Sequence, residues 1–394
     1  MSYVSKKVDI FLKRIGTKIL IFESRIVLAK NKPRIVAITG SVGKTSTRDA
    51  IYTALSQDRS TRMTDGDYNA IVGACRTVLD VPTAASNIKK WLRNIYLGIL
   101  RIFSKDKYPK QLVVEAGISK PNLMKRFLFL KPHTLVFTRF PEVPAHSGNF
   151  STPEQVVEEK LLLKDSLREN GTLVCNIDDE KVNAIEVEQN QNKITFGYSE
   201  DADVRSSKPE IVYEKGRVQG MKCVLHHKDA KKDLTIKGVV GEHHIYPALA
   251  AVAVSMSEGI TFEKAVTYLK THKGPEGRMC VIRGKEQSTI VDDTYNASPE
   301  ALVAGARTIE KVNAPGKKVF VFGDMLELGK HAEKEHMKAG VVVAKSDCDI
   351  LVTVGEMAKL LANTAKEKND SLKVNSFRST VEAVEYIKGV LDEG

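Results

Sequence analysis

Apolar residues recur at Val8, Leu12, Ile15, Ile19, Phe22 and Ile26, three or four positions apart, with Lys6, Lys7, Lys13, Arg14, Lys18 and Arg25 between them. That spacing predicts a basic amphipathic helix over residues 1–33, ended by Pro33. Such a stripe suits docking on the body of the protein, its commoner use, or an anionic bilayer. A second basic-aromatic stretch runs from Lys89 to Lys110 with Trp91, Tyr96 and Phe103. Short β-branched runs at Ile35 to Ile38, Leu112 to Val114, Thr134 to Thr138 and Thr172 to Asn176 predict buried parallel strands. Ser151 to Glu169 reads as a helix started by Ser151-Thr152-Pro153-Glu154. Residues 190 to 240 are strand- and lysine-rich, as in a small antiparallel patch, and Gly241 to Ser257 reads as a small-residue helix. Gly and Pro cluster at Thr271 to Gly277, a boundary and hinge. Beyond it strands and helices alternate: Thr289 to Tyr295, Pro299 to Val312, Lys318 to Met325, His331 to Lys345 and Ile350 to Gly355. The last helix opens at Ser379 with Glu382 three residues on, and carries Val381, Val384, Ile387 and Leu391. Strict alternation predicts a parallel, doubly wound sheet. The fold class is α/β, with a P-loop ATPase domain built on a parallel sheet over 34–272 and a Rossmann-like doubly wound domain over 273–394.

Composition narrows the reading only slightly. The 394 residues are 42% hydrophobic and 28% charged, ordinary for a globular chain of two or three domains. A net charge of +11 is compatible with nucleic acid, an anionic membrane or phosphorylated substrates, and does not choose among them. No nucleic-acid motif accompanies it. Five scattered cysteines without a CxxC pair argue for a reducing compartment and against a disulfide framework or zinc site. No apolar run reaches the roughly 18 residues of a membrane span, and no secretory signal is apparent.

The chemistry concentrates at Arg34 to Ala50, RIVAITGSVGKTSTRDA. A strand, a turn containing Gly40, Ser41 and Gly43, and a helix opened by Lys44, Thr45 and Ser46 make a phosphate cradle. Glycines let backbone N–H groups close on phosphate oxygens, and the helix N-terminus adds orphan donors. Lys44 is placed to reach the β/γ-phosphates and Thr45 to put its hydroxyl on Mg²⁺. Ile38 stands where a complete Walker A has its first glycine. Glu115 ends a strand, where an open parallel sheet holds its ligands, and is a natural Mg²⁺ ligand beside such a loop. His146 lies on a loop and Lys160 in the following helix; by residue type alone, Lys160 reads as an ordinary surface lysine. His331 and His336, five apart, read as surface residues rather than a metal pair. Nothing near Cys75 marks it as a nucleophile.

Together TGSVGKTS (Thr39 to Ser46), VVEAG (Val113 to Gly117), PAH (Pro144 to His146), DDTYNASP (Asp292 to Pro299) and GDMLELG (Gly323 to Gly329) resemble the Mur ligase family, the ATP-dependent amide-forming enzymes of peptidoglycan precursor synthesis. The last two motifs are most like its D-alanyl-D-alanine-adding branch. The resemblance implies a cytoplasmic, monomeric carboxylate–amine ligase using ATP and two Mg²⁺, with small-molecule peptide and nucleotide-sugar substrates and no nucleic acid. It implies Lys44 on the γ-phosphate, Thr45 and Glu115 on one magnesium, His146 on the second, and a carbamylated lysine at Lys160 that also serves the metal. Arg278, Asp293, Tyr295 and Asn296 would contact ATP, His243 would meet the adenine, and Asn69 falls near the substrate loop. The chain departs from the family at His244 and Pro247, where asparagines are usual, and at Thr138-Arg139, where Thr-Asn is usual. With about 34 residues ahead of the loop, the sugar-nucleotide domain is expected to be absent, and the C-terminus to stop short of a Lys-Gly-Ser strand. Alternatives are an acceptor of another class, such as a folate, another peptide or a lipid-linked precursor, or a non-catalytic nucleotide-binding protein on the inner membrane face, held through residues 1–33.

Overall fold

The N-terminal stretch forms one helix, α1 (Tyr3–Asn31), which stops where Lys32 takes a φ of +47° ahead of Pro33. The computed structural model describes residues 3–65, 71–84, 87–144, 147–285 and 288–392. His146 and Asn69 lie outside them, as does the side chain of Leu391. Two compact units emerge, one from Met1–Phe140, Val157–Arg205 and Pro247–Tyr268, the other from Pro141–Val156, Ser206–Tyr246 and Leu269–Gly394.

In the first unit β1 (Arg34–Thr39) leads through the glycine turn into α2 (Lys44–Ser56). Then come β2 (Thr61–Met63), α3 (Ile71–Leu79), α4 (Ile88–Phe103), β3 (Gln111–Glu115), β4 (Thr134–Phe137) and α5 (Pro153–Leu161). β5 (Thr172–Asn176), α6 (Glu180–Asn183), β6 (Asn192–Gly197), β7 (Val204–Ser206), α7 (Ile245–Ser257) and α8 (Phe262–Leu269) complete it. Its strands lie in the order β2-β3-β1-β4-β5-β6-β7, each pairing parallel. Such strands are buried on both faces, and every residue of β3, β4 and β5 is buried. Strand order reverses direction at β1, with β3 on one side and β4 on the other, which is where an open sheet leaves a ligand crevice. The register puts Ile38 beside Glu115 and Thr39 beside Phe137, so the turn, the carboxylate and the end of β4 converge. Glu258, at the end of α7, is buried against Arg34 and accepts from Thr134 Oγ1 at 2.9 Å.

The predicted helix over 151–169 is shorter than expected: α5 ends at Leu161 and the chain tightens to a 3₁₀ turn over Leu162–Ser166, with Lys160 on its last α-helical turn. The stripe predicted for α1 is also displaced. The helix buries Gly16, Leu20, Glu23 and Val27, while Ile15 and Phe22 face solvent. The seam is set by α4: Gly16 lies against the Trp91 ring and Gly98 against Glu23, leaving no room for a Cβ at either glycine. Burial pushes the Glu23 carboxyl up to about 7 from an ordinary 4.5. The folded chain therefore keeps this proton more tightly than the unfolded one, and stability falls as pH rises from 4.5 through 7. Glu23→Gln should remove that slope, so thermal unfolding at pH 8 should show the variant more stable than the parent and at pH 5 nearly equal to it.

The second unit holds an antiparallel patch of β8 (Glu210–Glu214), β9 (Arg217–His227) and β10 (Ala230–Lys237). A hairpin pair, β11 (Cys280–Arg283) with β12 (Thr289–Asp292), follows. Then come α9 (Pro299–Lys311), β13 (Val319–Gly323), α10 (Ala332–Ala344), β14 (Ile350–Val354), α11 (Glu356–Lys368), β15 (Lys373–Phe377) and α12 (Thr380–Asp392). The parallel sheet is β13-β14-β15. It is wound on both faces: Leu351 packs with residues of α9, α10 and α11, while Ile350 and Val352 pack with Ala383 and Val390 of α12. The run from Thr289, read as a strand of this sheet, instead pairs antiparallel with Cys280–Arg283, because a partner close in sequence is available. The Ser379–Glu382 capping box forms, Ser379 N donating to Glu382 Oε2 at 3.3 Å. The buried stripe of α12 passes through small Ala383, which lets the helix approach the sheet, and leaves Val381 and Val384 exposed. His336 is not a surface residue. It is fully buried, and its Nε2 accepts from Met325 N at 3.0 Å, bracing the GDMLELG turn. All five cysteines are free, and burial pushes the Cys75 thiol up to about 12, which excludes a thiolate nucleophile there.

Candidate active site

The glycine turn is held by β4. Ser41 N donates to Arg139 O at 2.8 Å, and Thr138 Oγ1 donates to Val42 O at 2.7 Å. Gly40 has a φ of +140° and Gly43 one of +83°, both outside the range side-chain-bearing residues favour. A Cβ on Gly40 would collide with the Thr138 hydroxyl, whereas around Gly43 there is open space. Gly40→Ala should therefore distort the turn and destabilise the fold by about 1–3 kcal/mol. Thermal unfolding and nucleotide titration would show a lowered midpoint and weakened binding together.

Gly43 precedes the first turn of α2 with no side-chain cap, so the helix leaves its first N–H groups available to an anion. Lys44 Nζ rests on Ser41 O at 3.3 Å, and Ser46 follows in the same turn. Thr45 Oγ1 donates to Glu115 Oε2 at 3.2 Å. The same oxygen lies 3.5 Å from the Arg48 guanidinium, which also holds Asp49 Oδ1 at 2.7 Å. Arg48, buried one helical turn beyond Lys44, was not singled out by sequence. The i, i+4 offset from Lys44 is the signal that could have found it.

Lys160 is buried rather than on the surface, since α5 turns it inward beneath the loop. Its Nζ donates to Gly40 O at 2.7 Å and to Ser41 Oγ at 3.4 Å. Desolvation, then the neighbouring Lys44 charge, hold its amine well below the ordinary lysine range, against a pull from Glu115. A downward shift favours the neutral amine, which is the nucleophilic form that adds CO₂. The hydroxyl of Thr45 and the carboxylate of Glu115 are the hard oxygen donors that Mg²⁺ accepts, beside a backbone cradle with open space at Gly43. These residues fit Mg·ATP.

A second cluster lies in the other unit. The Arg278 guanidinium sits 4.0 Å from the centroid of the Tyr295 ring, and Asp293 Oδ1 accepts from Met279 N at 3.2 Å. Tyr295 N donates to Gly277 O at 3.1 Å, so the segments 277–279 and 293–295 are clasped. Burial raises the Asp293 carboxyl to about 6, with Arg278 opposing. His243, half-buried, lies 4.5 Å ring to ring from His244, which is buried and pushed well below the ordinary histidine range, chiefly by desolvation. His272 is likewise pushed down to about 4 by burial. Asn296 is exposed.

The profile of the Mur ligase middle domain matches residues 38–255, more than half of the chain, and that of the Mur ligase, glutamate ligase domain matches 277–394. The chain belongs to the Mur ligase family. It is 26% identical over 369 residues to the UDP-N-acetylmuramoyl-tripeptide–D-alanyl-D-alanine ligase of Bacillus subtilis, covering 92% of this chain and 71% of that one. Its fold is similar to a crystal structure of MurF from Acinetobacter baumannii, with a TM-score of 0.77, 24% identity, and coverage of 95% of this chain and 74% of that chain. It is also similar to MurF ligase from Thermotoga maritima in complex with ADP, at a TM-score of 0.73, 22% identity, and coverage of 94% and 77%. ATP and Mg²⁺ are the general requirements of such ligases. Among the described residues, no helix is long and apolar enough to cross a membrane.

Proposed function

We propose that this Mur ligase family member joins a peptide carboxylate to an amine at the expense of ATP, adding D-alanyl-D-alanine to a UDP-MurNAc-peptide-like acceptor in cell-wall precursor synthesis. The observation that carries the reading is the convergence of Gly40 to Thr45, Glu115 and buried Lys160 at the reversal point of the sheet. In this reading the acceptor carboxylate oxygen attacks the γ-phosphorus and ADP leaves, giving an acyl phosphate. The amine nitrogen then attacks the acyl carbon, loses a proton and expels inorganic phosphate.

Lys44 and the N–H groups opening α2 neutralise the transferring group, whose chemistry needs positioning and charge rather than covalent help. Thr45 and Glu115 would hold one magnesium. His146 would serve a second, and Lys160, converted to a carbamate, would turn a repelling cation into an anion that supports it. The bound metal would polarise the γ-phosphate. His243, Arg278, Asp293, Tyr295 and Asn296 are assigned to the nucleotide as part of the same proposal. The enzyme is read as a cytoplasmic monomer whose partners are small molecules.

The test is substrate-dependent phosphate release, screened over UDP-MurNAc-tripeptide, folates and lipid-linked precursors, each with D-alanyl-D-alanine or glutamate as amine. Release confined to the first acceptor with D-alanyl-D-alanine supports the reading. Release confined to another acid assigns the same machinery to that acceptor.

A further inference from the structure

α1 and α4 pack in parallel. Gly16 meets Trp91, Glu23 meets Gly98, and Lys30 Nζ donates to Ile102 O and Ser104 O at 2.8 and 2.7 Å, so the contacts advance about seven residues at a time along both helices. On α1 the exposed apolar residues Ile15 and Phe22 each precede a seam residue by one position. On α4 Leu92 and Ile99 each follow one. One residue is 100° of helix, and opposite offsets in a parallel pair turn both rows to the same side. Ile88, Tyr96 and Phe103 extend the α4 row. The result is a two-helix apolar face on which Phe103 is 75%, Phe22 64% and Leu92 62% exposed.

Cations border this face. Arg14, Lys18 and Arg25 are exposed on the side of α1 away from α4, and Lys89 and Arg93 on the side of α4 away from α1. α4 has no acidic residue, and the one acid among the described side chains of α1, Glu23, is buried in the seam. We infer that this face docks on an anionic phospholipid bilayer, with the apolar rows at the headgroup–acyl boundary and the flanking cations on lipid phosphates. Charge decides the occupant: a second copy would set cations against cations, with no exposed acid among the described residues of either helix to answer them. The inference goes beyond the ligase reading and does not depend on it, since vesicle binding is read separately from ADP release.

The experiment is flotation of the full chain with phosphatidylcholine vesicles, alone or with about 30 mol% phosphatidylglycerol, at low and high salt. The protein should float with the anionic vesicles, and raised salt or omission of phosphatidylglycerol should release it. Leu92→Glu with Phe103→Glu should reduce the bound fraction at least tenfold while leaving the thermal midpoint and solution ADP release unchanged. Phe22→Glu, on the other helix, should do the same, so a folding failure of one variant leaves the other to decide. Parent protein that stays soluble with anionic vesicles would overturn the inference, as would undiminished flotation of folded glutamate variants. A sedimenting dimer dissolved by the same substitutions would also overturn it, assigning the face to self-association.

Discussion

Lys44→Ala should lower substrate-dependent ADP release by at least about 10³-fold, the scale on which a single electrostatic contact to a transition state acts. The loss should fall on turnover rather than on folding. The contact of Lys44 Nζ with Ser41 O is long, at 3.3 Å, and the turn itself is held by Thr138 Oγ1 and by the Ser41–Arg139 backbone bond. The thermal midpoint should therefore move little. Lys44→Arg tests whether charge alone suffices: a broader, planar head cannot take the place of a compact ammonium in this turn, so it should recover only a small part of the rate. Undiminished turnover in Lys44→Ala would remove the glycine turn from the mechanism.

Lys160 offers the second large effect, and its variants separate three roles. If the side chain acts as a carbamate, Lys160→Ala should lose about 10²–10³-fold in rate, and short carboxylic acids such as acetate or propionate should restore part of it by supplying the missing anion. Depleting bicarbonate from the parent enzyme should produce the same loss, reversed when bicarbonate returns. A lysine acting as an ammonium would be rescued by alkylamines instead and would ignore bicarbonate. A structural lysine would respond to neither addition. Its surroundings favour the first outcome: burial, then the Lys44 charge, push the amine below the ordinary lysine range, toward the neutral form that captures CO₂. Carbamate formation needs that free amine, so activity reconstituted with limiting bicarbonate should depend less on high pH than it would for a solvent-exposed lysine.

The parts of the molecule that were legible in the sequence are those written locally. A β-branched run, a glycine turn and Lys-Thr specify strand, cradle and helix within seventeen residues, and Glu115 announces itself at a strand end. What was not legible depends on partners far away in the chain. The stripe from Ile15 to Ile26 looks like the docking face of α1. Yet the helix seats itself through Gly16 and Glu23, because Trp91 and Gly98 offer a closer approach. Lys160 is indistinguishable from a surface lysine until α5 is placed under the loop, and His336 until the Met325 turn folds over it. Arg48 illustrates a milder case. Its helical offset from Lys44 was visible, but its burial beside Glu115 and Asp49 was not. In the second unit the alternation of strands and helices was read correctly as a parallel sheet wound on both faces, but it could not reveal that β12 leaves the sheet for a hairpin.

The most direct measurement follows one oxygen atom. With the acceptor carboxylate labelled with ¹⁸O, Mg·ATP and D-alanyl-D-alanine, phosphorylation of the acid followed by capture by the amine must transfer one labelled oxygen to inorganic phosphate for each amide formed. Mass spectrometry of the phosphate should find that single label, with ADP released in step with product. Unlabelled phosphate, or ADP formed at the same rate without acid or amine, would contradict the account.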